Sequence, residues 1–438
     1  MESEKMDETV EEINDKRILC QFKSESGEPL GTQLDLPYSV THEHLQIICR
    51  TLLQQDESAL YAFYVDEKEI NNCLVDVLDI NKLNTEHVVD IIYQEQAVFR
   101  VRPVTRCTST LPGHAEAVVV VKFSPDGSQL ASGSGDTTVR LWDIHTQTPH
   151  HTLQAQMSGH KQWITGITWE PFHLNTTCRR FASSSKDGDV RIWDAITGRC
   201  ERTISGHTMS VTAVIWGGSG LIYTSSQDRS VKVWRSSDGV LCKSLLGHAH
   251  WVNTLALSTE YILRTGACEI PLEPCEISLG QQEAVSKYKM MCDEDGGERL
   301  VSGSDDFTLF LWKPETDKKP IARMTGHQQL INHVQFSPDG RLIASASFDK
   351  SVKIWDGRTG KYLTVLRGHV QAVYMVAWSA DSRLLVSGSA DSTLKLWNLK
   401  DRKLQEDLPG HADQVFAVDW APDGSRVASG GKDKILRL

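Results

Sequence analysis

Short runs in which every second residue is apolar fill most of the chain after residue 105, and turn residues separate them. Residues 326–355, GHQQLINHVQFSPDGRLIASASFDKSVKIW, show the unit. INHVQF alternates, SPDG turns the chain, LIASAS follows, an Asp-containing turn comes next, and SVKIW closes the copy. Alternation at period two puts one face of each run against a core, so each copy predicts successive antiparallel strands joined by tight turns. A Gly-His pair opens each of seven copies, at His114, His160, His207, His248, His327, His369 and His411. Neighbouring pairs lie 41 to 47 residues apart, except that 79 residues separate His248 from His327.

Repeats of this length, with Gly-His at one end and Trp-Asp at the other, predict four-stranded propeller blades. Each copy also supplies side chains able to saturate one another. The sets are His114, Ser132, Asp136, Trp142; His160, Ser183, Asp187, Trp193; and His207, Thr224, Asp228, Trp234. They continue with His248, Ser302, Asp306, Trp312; His327, Ser345, Asp349, Trp355; and His369, Ser387, Asp391, Trp397. A seventh set, His411, Ser429 and Asp433, stops at KDKILRL, one position before the Trp would fall. These residues resemble the WD40 family, in which the four side chains form one network inside each blade. The indole N–H donates to the hydroxyl, the hydroxyl to the imidazole, and the imidazole N–H to the carboxylate. Ser, His and Asp also compose a hydrolytic triad, but an enzyme needs one and this chain repeats it in every blade. No metal spacing, phosphate-binding loop or kinase signature occurs, so no catalytic residue and no cofactor of the chain's own are expected.

Residues 17–95 follow another pattern. ILCQFK and TQLDL predict a hairpin around SESGEP. Thr41 is placed to cap a helix in which Leu45, Ile48, Cys49, Leu52 and Leu53 share one face. LYAFYV (60–65) and EHVVDIIY (86–93) predict further strands, the order of a small α+β, ubiquitin-like β-grasp domain. The expected organisation is therefore mainly β. A disordered acidic tail (1–16), with seven acids and two lysines, precedes the β-grasp domain (17–95). A linker (96–104) leads to a WD40 β-propeller (105–438) with an insertion at about 264–298.

Composition narrows the setting. The formal charge of −11 argues against nonspecific nucleic-acid binding by the whole surface. Ten cysteines without a CxxC pair, and no signal peptide, suit reduced thiols in a cytosolic or nuclear protein. No apolar run approaches the roughly 20 residues that span a bilayer, so no membrane partner is expected.

The β-grasp pattern, then AVFRVRPVTRC (97–107), then repeats that include SGSDDFTLFLW (302–312), resemble the Notchless family across nearly the whole chain. That resemblance implies a nuclear and nucleolar adaptor in assembly of the large (60S) ribosomal subunit, acting as a monomer within a large assembly. It implies two partners: the pre-60S particle, with its ribosomal proteins and rRNA, and midasin, a dynein-related AAA ATPase. In the family the ubiquitin-like NLE domain offers a carboxylate to the Mg²⁺ that midasin's adhesion-type site holds. The matching position here is Glu86, and a hard cation such as Mg²⁺ takes oxygen ligands. A scaffold or substrate receptor in ubiquitin or Notch-type signalling is the alternative.

Two departures stand out. The family usually carries eight repeats and seven are visible, the His160 copy resembling the family's third repeat rather than its second, and the copies stop at KDKILRL, before the final Trp. A splice variant or an imperfect gene model would explain both, and ring closure is the property they put in question. Residues 105–111 resemble the outer strands that precede the other Gly-His pairs, so they should complete the last blade. The insertion contains Pro271, Pro274 and a helical pattern at 281–291, and such a loop is either a binding element or disordered. Finally, the Gly-His and Asp turns share one end of every blade. That rim collects Trp163, Lys186, Arg229, Trp251 and Phe348, residue types that favour a partner-binding surface.

Overall fold

The computed structural model describes residues 17–23, 29–37, 40–53, 60–65, 68–70, 74, 88–96, 107, 110–144, 146, 148–153, 159–261, 282, 284–286, 288–292, 297–400, 402–409, 411–422, 424 and 426–438. The chain divides into two compact units, Met1–Arg100 and Val101–Leu438. Among the described residues, no helix is long and apolar enough to cross a membrane.

In the first unit, β1 (Arg17–Lys23) and β2 (Pro29–Pro37) form the expected hairpin, and α1 (His42–Leu53) follows. The remaining strands are β3 (Leu60–Val65), β4 (Lys68–Glu69) and β5 (Val89–Gln96). The sheet order β2-β1-β5-β3-β4, with β1 and β5 parallel at its centre, is the β-grasp arrangement. The two-residue β4 is too short to show a period in the sequence. α1 buries Leu45 and Cys49 one turn apart and half-buries Ile48, Leu52 and Leu53 against the sheet. The Thr41 carbonyl accepts the Leu45 N–H at 3.1 Å, while its hydroxyl pairs with the His44 ring at 2.9 Å. Burial pushes the thiols of Cys20 and Cys49 up to about 12, which keeps them protonated and unreactive. Glu86 and the tail lie outside the described residues.

The second unit is a closed ring of seven four-stranded antiparallel sheets. Blades 1 to 6 occupy residues 118–153, 164–205, 211–246, 252–325, 331–367 and 373–409. Blade 7 takes three strands from 415–437, and Thr110–Pro112 is its outermost strand, paired with Ile435–Arg437. Seven blades therefore close, and the doubt about closure is resolved. A shared core of Leu111, Val118, Phe123, Ala417 and Leu436 fills the junction between blades 7 and 1. Blades pack through close side-chain contact: a Cβ added at Gly388 of blade 6 would sit 2.7 Å from a methyl of Val418 in blade 7. The stretched interval still yields a complete blade 4, because its extra residues leave between the first strand, Val252–Leu257, and the second, Leu300–Ser304. Within the insertion, residues 284–286 and 288–292 are helical.

Candidate docking rim

Each blade is organised by its hydrogen-bonded set. In blade 5 the Trp355 indole donates to Ser345 Oγ at 2.8 Å, Ser345 meets His327 Nε2 at 2.7 Å, and His327 Nδ1 meets Asp349 at 2.7 Å. The Asp349 carboxylate can only accept, so the neutral ring carries its proton on Nδ1, and Nε2 accepts the proton of the Ser345 hydroxyl. The other carboxylate oxygen accepts the N–H and hydroxyl of Ser351, at 3.1 and 2.6 Å. Blades 1, 2, 3, 4 and 6 repeat this chain through Trp142, Trp193, Trp234, Trp312 and Trp397. Their His–Asp contacts span 2.7 to 3.0 Å. In blade 7 His411 bonds Ser429 at 2.8 Å and Asp433 at 2.9 Å, without an indole. The Gly before the His makes room for the indole: a Cβ on Gly206 or Gly368 would lie 2.8 or 2.9 Å from its outer edge.

The charges follow from this geometry. Burial alone would raise the Asp187 and Asp391 carboxyls, but hydrogen bonds from His160, His369 and Thr393 outweigh it and hold both near 2. Asp136, Asp228, Asp306 and Asp349 are lowered by the same balance. Burial keeps the His327, His369 and His411 rings below their ordinary range, against the pull of their carboxylates. Every hydroxyl in the sets is buried, so none is placed to attack a substrate.

The same turns build the rim. The residue opening each Asp turn donates its N–H to the carbonyl preceding the innermost strand. Lys186 reaches Trp163 at 3.0 Å, Asp305 reaches Trp251 at 3.0 Å, and Phe348 reaches Leu330 at 3.1 Å. Trp163 is 43% and Trp251 40% exposed. One face of Trp163 lies over Gly135 of blade 1, where an added Cβ would be 3.2 Å from the indole. Trp163 thus both covers its neighbour and stays open. Trp251 is flanked by His250, with ring centres 5.3 Å apart. Arg229 takes a positive φ of 69° at the tip of its turn and is exposed. Phe348 is half-buried and edge-on to Tyr374, with ring centres 5.5 Å apart.

Two rim residues escaped the sequence reading. Phe307, 45% exposed, occupies in blade 4 the turn position that Arg229 holds in blade 3. Met209, 46% exposed, lies two residues past His207. Aligning the copies by their Asp and His would have exposed both. Lys161, Lys186 and Arg229 have no carboxylate in ion-pair range among the described residues, so the arc of blades 2 to 4 is apolar and cationic on an acidic chain.

A ring of blades each tied by a His–Ser/Thr–Asp set, with a β-grasp unit before it, defines a WD-repeat propeller protein. Two family patterns match. "WD domain, G-beta repeat" covers 105–143, 150–194, 198–235, 318–356, 360–398 and 402–438, skipping the stretched blade 4, and "NLE (NUC135) domain" covers 18–78. The chain is 51% identical to Protein Notchless of Drosophila melanogaster, over 76% of this chain and 78% of that protein. It is 50% identical to the Notchless protein homolog of Arabidopsis thaliana, over 80% and 82%. Ribosome assembly protein 4 of Saccharomyces cerevisiae is 42% identical over 78% of both. The chain belongs to the Notchless family.

Proposed function

We propose that this protein is a non-catalytic adaptor in nuclear and nucleolar assembly of the large ribosomal subunit. The observation that carries the reading is its likeness, over most of both chains, to a protein named for ribosome assembly. The propeller docks on the pre-60S particle through the rim of blades 2 to 4, whose unpaired cations suit acidic surfaces of ribosomal proteins or rRNA. The first unit presents the Glu86 carboxylate to the Mg²⁺ of a midasin-type AAA ATPase, and hydrolysis of ATP by that partner remodels the particle through this link. In this reading the metal belongs to the partner. The buried hydroxyls of the blade sets support a structural rather than hydrolytic role.

Affinity purification of wild type and Glu86→Ala tests both halves. Wild type should bring down pre-60S particles and the ATPase, and Glu86→Ala should keep the particle while losing Mg²⁺-dependent ATPase binding. Undiminished ATPase binding by the variant overturns the role of Glu86. Ubiquitin-ligase subunits or receptor tails in place of pre-60S particles overturn the adaptor reading itself.

A further inference from the structure

The ring is closed without covalent continuity at one place: Thr110–Pro112, which runs on into blade 1, completes blade 7 by pairing with Ile435–Arg437, and blades 7 and 1 meet in a seam beside that closure. The pairing joins Ile435, Leu436 and Arg437 to Pro112, Leu111 and Thr110. Blade 4 stands three blades from both flanks of the seam, on the far side of the ring. Its first strand nevertheless leads into residues that cross the channel.

Glu260 Oε1 lies 3.1 Å from Lys122 Nζ of blade 1, and Lys122 Nζ lies 3.7 Å from Asp419 Oδ1 of blade 7. Asp419 Oδ2 accepts the N–H of Phe123, at 2.9 Å, across the same seam. The next residue, Tyr261, donates its hydroxyl to the carbonyl of Pro422 in blade 7 at 3.4 Å. Glu260 and Lys122 are mostly buried and Asp419 wholly so, which strengthens a charge-assisted contact relative to one in open water.

The far end of the insertion is anchored as firmly. Glu298, fully buried, accepts from Gly218 N at 2.8 Å, Thr259 Oγ1 at 3.0 Å, and the hydroxyls of Tyr223 and Tyr288 at 3.2 Å each. Tyr288 stacks on His173 of blade 2 with ring centres 4.8 Å apart. Arg299 donates to the carbonyls of Gly357 and Gly340 beside blade 5, at 2.6 and 3.2 Å. The cavity that remains beside Lys122, Trp169, Trp216 and Glu260 is about 30 Å³, room for water and not for a ligand.

We propose that Glu260 and Tyr261, braced by the Glu298 cluster, form a latch that holds the blade 7–blade 1 seam shut from across the channel. The stretched blade 4 is then an internal fastening of the ring. A charge at Lys122 is required because its ammonium lies within ion-pair range of two carboxylates, Glu260 and Asp419.

Native-state hydrogen exchange on the full chain, with Lys122→Met and Glu260→Gln, tests the latch. Opening at one seam exposes amides locally, so exchange at Leu111, Phe123 and Leu436 should quicken about tenfold in each variant while Val214 of blade 3 is unchanged. The double variant should match Lys122→Met, because that substitution already removes the Glu260 contact as well as the one to Asp419. Seam amides that exchange at the wild-type rate in either folded variant overturn the proposal. Equal acceleration in all seven blades also overturns it, since that reports general destabilisation. Should Lys122→Met fail to fold, Glu260→Gln decides alone.

Discussion

The Lys186 ammonium sits 4.0 Å from the centre of the Trp163 indole, and the Lys186 N–H donates to the Trp163 carbonyl. One backbone bond and one cation–π contact therefore hold an exposed aromatic and an unpaired charge together at the mouth of blade 2. The same indole also closes on Gly135 of blade 1, where an added Cβ would lie 3.2 Å from it.

Charge reversal at the rim should weaken docking. Lys186→Glu with Arg229→Glu is expected to fold with an unchanged melting temperature and to co-sediment poorly with pre-60S particles. The deficit should shrink as added salt screens the wild-type attraction. Wild-type co-sedimentation by the folded double variant would place the docking surface elsewhere.

The apolar part of the rim should matter more than its charge. Truncating Trp251 or Phe307 to Ala is expected to cost about 2 kcal/mol of particle affinity, the scale of an interface hot spot. Ala at Val370, exposed on the far arc in blade 6, should leave affinity within experimental error. Titration of purified particles against each variant makes the comparison.

Asp349→Ala tests the blade sets. It removes the acceptor of His327 and three further hydrogen bonds, to Gln328 N, Ser351 N and Ser351 Oγ. A loss of about 1–3 kcal/mol of unfolding free energy is expected in denaturant melts. Ala at the neighbouring Lys350, which is exposed, should change nothing. Equal melts for Asp349→Ala and wild type would mean the set does not hold the blade.

Acid should unfold the ring in two stages. The His327, His369 and His411 rings are depressed below 6.5 in the folded state, so what they contribute is complete above 6.5 and lost as pH falls through their folded values. The carboxyls of Asp187 and Asp391, near 2 against 3.8, contribute fully above 3.8 and lose it on descent to about 2. The melting temperature should hold above pH 6.5, decline below it, and fall further between 3.8 and about 2. A constant value from 6.5 down to 3.8 would show that those rings are not buried neutral.

What the sequence determined by itself is local. Period-two runs, Gly-His pairs and Asp turns recur within one blade, and every bond of a set closes over a few tens of residues, so pattern alone located them. The hairpin and the amphipathic face of α1 were legible for the same reason, and Thr110–Pro112 was legible as a displaced copy of the other outer strands. Ring geometry decided the rest. Seven blades close because adjacent sheets pack to contact, as Gly388 does against Val418, and no repeat count states that distance. Phe348 meets the ring of Tyr374 only because the next blade brings it alongside. Lys122 and Glu260 are separated by 138 residues and carry no shared motif. Only the curvature of the ring, which sets blade 4 opposite its own seam, brings their charges within 3.1 Å.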